Sequence, residues 1–522
     1  MSPILPGLLA AAQHDTGALF SAMGMLDYAV IALYLLATMA IGTWMCRGQS
    51  TLGEYFLAER KTHWFVACVS IIATDVSAMS YMGTPAWVYQ KDLRQPAGLI
   101  LLPLIMLLVV LVFVPLYYRL NVFTVYEYLE RRFSPLVRTV VAVLFLLQRS
   151  VLLAGAIYVP SLALEMFTGI PRVWCIVIVG VATIVYTFFG GMKAVIWTDF
   201  MQFFVMVGGL VLMIWVLLAS QHWDFERVWA EASTISADTG NEHTRMFDFR
   251  LNLEDESTFW VLLLFFSVYS IGTYGTDQVI VQRYFTMGSM REITKSVLGA
   301  GFLLMLMVWA LAYLGILLLV YYQQHPELAA TLPLTASGMP QSDYILPHFV
   351  VNELPVGARG LIFAAILAAT MSTVSSGLNS FVTVGTMDLY QRFRPSARVD
   401  EAQSLTIARM MTLVSGAILT ALAVWIGTYQ TTILQTITNL AIKFIGPISA
   451  IFFLGILTRR ANVPGVLVGA AAGLSFSLAS GYEPIASQIN WMWAGPLSCL
   501  ITFVVGYVAS VGATMLGHRS TS

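Results

Sequence analysis

The chain has 522 residues, of which 58% are hydrophobic and 11% charged, with a formal net charge of −1. Soluble domains carry about a quarter of their residues as charged groups, so this composition describes a polytopic, all-α membrane protein surrounded by lipid. A near-neutral chain of this kind excludes nucleic acid as a partner.

The four cysteines, Cys46, Cys68, Cys175 and Cys499, lie in or at the end of apolar stretches without metal-ligand spacing. They read as small core hydrophobes. The opening MSPILPGLLAAAQHD holds no Lys or Arg before its short apolar run, unlike a cleaved signal peptide. Apolar stretches of about 20 residues predict thirteen spans, centred near residues 36, 77, 108, 150, 181, 206, 270, 308, 372, 414, 444, 471 and 504. Alternate gaps between them hold eighteen of the 27 basic residues, Arg60, Arg131, Arg138, Lys193 and Arg283 among them, and the opposite gaps hold seven. The positive-inside rule then puts the N-terminus outside and the C-terminus in the cytoplasm, with the chain in the cell (inner) membrane. The insert between Ser220 and Thr258, with nine acids against three basic residues, fits an outside loop. A second outer insert runs from Gln323 to Leu354, either a lid or a plain connector. No soluble domain is expected at either end.

Two cations, Arg149 and Lys443, fall inside predicted spans, and Asp75, Glu165, Asp199 and Asp277 lie in or at the edge of others. Ionisable groups at membrane depth mark a solute or ion path by default, and pairing with one another or snorkelling is their competing use.

The second span, Val69–Tyr89, holds Ser70, Thr74, Asp75, Ser77, Ser80, Gly83, Thr84 and Pro85, and the seventh, Phe265–Tyr284, is again rich in glycine and hydroxyls. Two interrupted spans five apart predict an inverted-repeat transporter with broken helices at its binding site. A pair of kinked, tightly packed helices is the alternative. In the ninth span, Ser372, Ser375, Ser376 and Asn379 fall on one helix face. Such a stripe supplies the oxygen ligands that hard cations prefer, or else lets two membrane helices pack closely.

The chain resembles the sodium/solute symporters that carry sugars, proline, sialic acid, monocarboxylates, vitamins and iodide. The matching stretches are GEYFLAERK (53–61), ATDVSAMSYMGTPAWVY (73–89), FGGMKAVIWTDFMQ (189–202), GTDQVIVQRY (275–284), the hydroxyl run with SGLNS (376–380), and GPISAIFFLGILTRRANVPG (446–465). The resemblance implies a leucine-transporter-like fold in one transmembrane domain, residues 1–522. It would comprise an extra N-terminal helix (26–46), two inverted five-helix repeats (64–219 and 258–457), and two C-terminal helices (462–516).

It also implies a first sodium site at Ala73, Val76, Ala369, Ser372 and Thr373, and a second at Asp199, Ser372, Ser375 and Ser376. Asp75 matches an acid that proline carriers have in this helix, acting in ion entry or in tuning the site. The solute cavity would be lined by Ser77, Ser80, Tyr81, Ser270, Thr273, Tyr274 and Gln435, with Arg149 reaching in from the fourth span.

YVPSLALEMFTGI (158–170), the GTPAWVY segment and Gln435 look most like the monocarboxylate, vitamin and iodide branch. A small carboxylate taken up with one or two sodium ions is the expected cargo, since a guanidinium is the usual partner of a carboxylate. A sugar, sialic acid or an amino acid such as proline is the alternative. A nutrient sensor on the same fold is the rival from another class. The seven histidines show no zinc-protease spacing or triad, so an enzyme is not expected.

Overall fold

The computed structural model describes residues 23–45, 51–120, 122–239, 242–252, 254–332, 344–392, 401–427, 443–482 and 484–519. The principal helices are α1 (Met25–Trp44), α2 (Trp64–Asp75), α3 (Ala78–Gln90), α4 (Leu102–Leu120) and α5 (Pro135–Thr168). They continue with α6 (Arg172–Ser220), α7 (Phe259–Ile271), α8 (Gln278–Phe285), α9 (Met290–Gln324) and α10 (Ile345–Glu353). The last are α11 (Ala358–Val384), α12 (Glu401–Gly427), α13 (Ile445–Leu457), α14 (Val463–Ala479) and α15 (Ala494–Arg519).

Each expected span centre falls in one of these helices or at the α2–α3 junction, except residue 444, which is the N-cap of α13. The second span breaks where expected. Val76 leaves the helix at ψ 91°, and Ser77 restarts it as the N-cap of α3, so that α2 and α3 meet at 61°. The seventh span breaks through a π-helical turn, Gly272–Thr276, and Asp277 caps α8 by accepting the Val279 amide at 2.8 Å.

The 49 residues of α6 are far more than one crossing needs. The helix holds two of the expected spans, joined at Gly191, where φ is +51° and ψ −151°. A Cβ there would lie 2.5 Å from the Tyr55 carbonyl oxygen, so glycine is required both by backbone conformation and by space.

Helix α11 runs through the centre. Nearly every residue from Gly360 to Val384 is buried, and the helix packs on α1, α5 and α6. Its small and hydroxyl residues allow that close approach.

One end of the bundle, here termed the loop face, carries residues 91–98, 221–239, 242–252, 254–258, 325–332 and 344–354. There Arg94 meets Asp92, Asp248 and Asp255, Glu256 accepts from Lys91 and from Trp491 Nε1, and His243 Nδ1–H donates to Val88 O at 3.2 Å. The Gln323–Leu354 insert is partly helical: α10 is buried, with His348 bonded to Tyr322 at 2.8 Å and to Thr331 at 2.9 Å.

Candidate ion and solute site

The break between α2 and α3 frees backbone oxygens. The Ser77 amide turns back to Asp75 O at 3.1 Å, leaving the Ala73 and Thr74 carbonyls to look outward. Helix α11 meets both. Ser372 Oγ donates to Ala73 O at 2.7 Å and to Ala369 O at 3.1 Å. Thr373 Oγ1 donates to Thr74 O and Ala369 O, each at 3.0 Å. Ala73, Ala369, Ser372 and Thr373 therefore form one constellation of hydroxyls and carbonyls, and Val76 is the extended residue beside it. Among the described residues no three His, Cys, Asp or Glu side chains form a group that could hold a metal ion. A cation here would be held by hard oxygens, the chemistry of an alkali or alkaline-earth ion.

A second constellation surrounds Asp199, which is fully buried on α6. Its Oδ2 accepts from Ser70 Oγ at 2.6 Å, from Thr74 Oγ1 and Ser376 Oγ at 3.3 Å, and from Arg283 Nη2 at 2.9 Å. Arg283 is itself fully buried, and its guanidinium also donates to Ser70 Oγ, Thr74 Oγ1, Ser376 Oγ and Val279 O. Asp199 Oδ1 has no partner, nor does Gln202 Oε1 one helical turn away, whose amide nitrogen donates to Tyr34 at 3.1 Å. Two unpartnered buried oxygens on one face of α6, beside Ser376, have the chemistry of sodium ligands.

Several of the residues expected to line a solute cavity gather at the α7–α8 break. Arg149 on α5 forms an ion pair with Asp277, and its guanidinium lies 5.5 Å from the Phe145 ring. Asp75 has Tyr274, Asp277 and Arg149 as its electrostatic neighbours, so both broken helices converge on this point. Ser77, Ser80 and Thr273 are half-buried, and Ser270 and Tyr274 are buried. Tyr81 is engaged elsewhere, donating its hydroxyl to Met206 O at 3.0 Å. Gln435 lies outside the described residues.

Three sequence expectations change. Arg283, counted above with the basic residues between spans, is fully buried, because the buried Asp199 needs a counter-charge. Arg149 pairs with Asp277, the largely buried N-cap of α8, while Glu165 is held by Arg172 at 2.7 Å. Gln202 joins the polar centre without having been singled out, beside Ser70 and Thr74 of the second span. The signal available for Arg283 was Asp199 itself, an acid inside a span that lacked an assigned partner.

Comparison with known proteins bears on the whole chain. The profile of the sodium:solute symporter family matches residues 55–473. The sodium/sialic acid symporter SiaT of Proteus mirabilis is 31% identical over 488 residues, covering 93% of this chain and 95% of that protein. Human sodium-coupled monocarboxylate transporter 1 is 30% identical, covering 89% and 74%, and a sodium/glucose cotransporter of Vibrio parahaemolyticus is 27% identical, covering 89% and 86%. A solved substrate-bound, outward-open sodium-coupled sialic acid symporter superposes with a TM-score of 0.84 at 30% identity, over 93% of this chain and 98% of that one. The fold is the leucine-transporter-like one expected. The chain is a member of the sodium:solute symporter family, a multi-pass membrane transporter that couples solute movement to sodium.

Proposed function

We propose that the chain imports a small carboxylate together with one or two sodium ions by alternating access. The single observation that carries the choice of cargo is Arg149, a guanidinium beside the broken seventh span. A carboxylate solute competes with Asp277 for that guanidinium in the bidentate geometry arginine favours. Two of the relatives are named for acids, sialic acid and monocarboxylates. Sialic acid is itself a carboxylate and serves this reading as well as a shorter acid does. A neutral sugar leaves Arg149 without a role.

In this reading the first sodium is held by Ala73, Val76, Ala369, Ser372 and Thr373. The second is held by Asp199 Oδ1, Ser372, Ser375 and Ser376, with Gln202 as a further oxygen donor. Sodium supplies the driving charge, while Asp75 tunes the electrostatics between the ion sites and Arg149. Ser77, Ser80, Ser270, Thr273 and Tyr274 offer hydrogen bonds to the solute. The repeats 64–219 and 258–457 rock about the two breaks, with the loop face outside.

The number of ions matters energetically. One charge moved down 100 mV gives about 2.3 kcal/mol, and a tenfold sodium gradient adds about 1.4 kcal/mol per ion. Two sodium ions with one monovalent anion therefore provide about 5 kcal/mol, against about 1.4 kcal/mol for an electroneutral one-to-one pair.

Thermal unfolding of the purified protein with a panel of carboxylates, neutral sugars and amino acids, with and without sodium, tests the reading. Sodium-dependent stabilisation by carboxylates is expected. Stabilisation by neutral sugars alone would sink it. Counter-flow of the stabilising solute in proteoliposomes separates a carrier from a sensor, because a sensor binds without exchange.

A further inference from the structure

Three hydrogen-bond donors beside the α7–α8 break have no partner: Tyr126 Oη, Gln148 Nε2 and Arg149 Nε. Tyr126 is fully buried and Gln148 is 3% exposed, so these are not groups that bulk water serves freely. Both line one recess together with Phe145, Thr273, Asp277 and Ile448. Arg149 borders it through its pair with Asp277 and its position over Phe145. The recess lies away from Ser77 and Ser80, towards the end of the bundle where Arg138 holds Asp388 and Glu130.

The polar groups left without a partner at this recess all have protons to give. A tyrosine hydroxyl, an amide NH2 and a guanidinium N–H all offer protons. The Asp277 carboxylate on its wall already receives Arg149 and the Val279 amide, and the Thr276 hydroxyl spends its proton on Gly272 O at 2.8 Å. Apolar contact comes from Phe145, Ile445 and Ile448. A ligand that satisfies all three donors brings several lone pairs and tolerates the positive field of Arg149. A carboxylate does both, while a lone hydroxyl leaves donors unmade.

We propose that Tyr126, Gln148 and Arg149 Nε form a carboxylate subsite on the α8 side of the break. It holds the acid group of the solute while the rest faces the apolar wall. The proposal rests on the carboxylate reading above and deepens it by naming the residues that grip the acid group.

The test uses the full-length protein in detergent, with propionate and sialic acid as carboxylate probes in saturating sodium. Tyr126→Phe removes one oxygen and Gln148→Met removes the amide at similar volume. Each is expected to raise the Kd of the better probe about tenfold. Gln148→Glu, which adds a like charge, is expected to raise it at least a further tenfold. Sodium affinity measured without solute stays at the wild-type value in all three, which shows that the fold and ion sites persist. Wild-type probe affinity in Tyr126→Phe and Gln148→Glu overturns the subsite while leaving the carboxylate reading intact. A parallel loss of sodium affinity overturns it too, since that marks a structural role. If neither probe binds the wild type, the carboxylate reading and the subsite fall together.

Discussion

Asp199 and Arg283 are both fully buried and share one hydrogen-bonded cluster with Ser70, Thr74 and Ser376. Removing one member of such a pair strands the other charge, at a cost of about 3–5 kcal/mol. Asp199→Asn should therefore lower the unfolding temperature, and Asp199→Asn/Arg283→Gln should recover part of the loss. If Asp199 holds the proposed second sodium, both variants change sodium-dependent uptake from sigmoidal to hyperbolic, because its carboxylate is gone. An unchanged sigmoid in the double variant would count against Asp199 as a sodium ligand. At this scale the hydroxyl stripe was legible, because i, i+3, i+4 spacing puts Ser372, Ser375 and Ser376 on one face whatever surrounds them. Arg283 was not. A charge count takes an arginine near the end of an apolar run as a span boundary, and only the tertiary fold shows that α8 is a short, wholly buried half-helix.

Among the elements, the broken helices announced themselves through glycine, hydroxyls and an acid in segments that otherwise belong in lipid. The break points themselves were not read from the sequence, although the residues that restart each helix, Ser77 and Asp277, are N-cap formers. The join inside α6 was less legible. Lys193 made it look like an ordinary gap, whereas the structure turns the chain at one glycine, Gly191. A side chain at that positive φ costs about 1–3 kcal/mol in backbone strain alone, and its Cβ also meets the Tyr55 ring at 2.6 Å. Gly191→Ala is expected to lower the unfolding temperature by several degrees. Gly208→Ala is the matched control in the same helix: its Cβ meets nothing within 4 Å, and alanine favours the helix by about 1 kcal/mol. A Gly191→Ala variant as stable as Gly208→Ala would mean that the Gly191 turn relaxes without strain.

For the whole molecule, the loop face is fastened by groups far apart in sequence, and this is why it could not be read in advance. Polarity marked residues 220–258 as a loop, but nothing local pairs Glu256 with Lys91 and Trp491, or His243 with Val88. Two buried histidines make this face sensitive to pH. Burial lowers the pKa of His243 despite its bond to Val88 O and the nearby Asp92, and burial lowers that of His348 despite Glu353. A folded-state pKa below the unfolded value of about 6.5 means that the unfolded chain takes up protons first as pH falls. Stability from these two groups is then complete above about pH 6.5 and declines as pH drops through the folded values. Asp248 acts in a lower window: its hydrogen bonds from Arg250 hold its pKa below the usual carboxylate range, so its contribution persists until the pH falls below about 4. The unfolding temperature is therefore expected to be flat from pH 8 to 7 and to fall as the pH drops below about 6.5. His243→Gln/His348→Gln should flatten the upper part of that fall while leaving the loss below about pH 4 in place. An unchanged profile in the double variant would show that the acid sensitivity lies elsewhere in the chain.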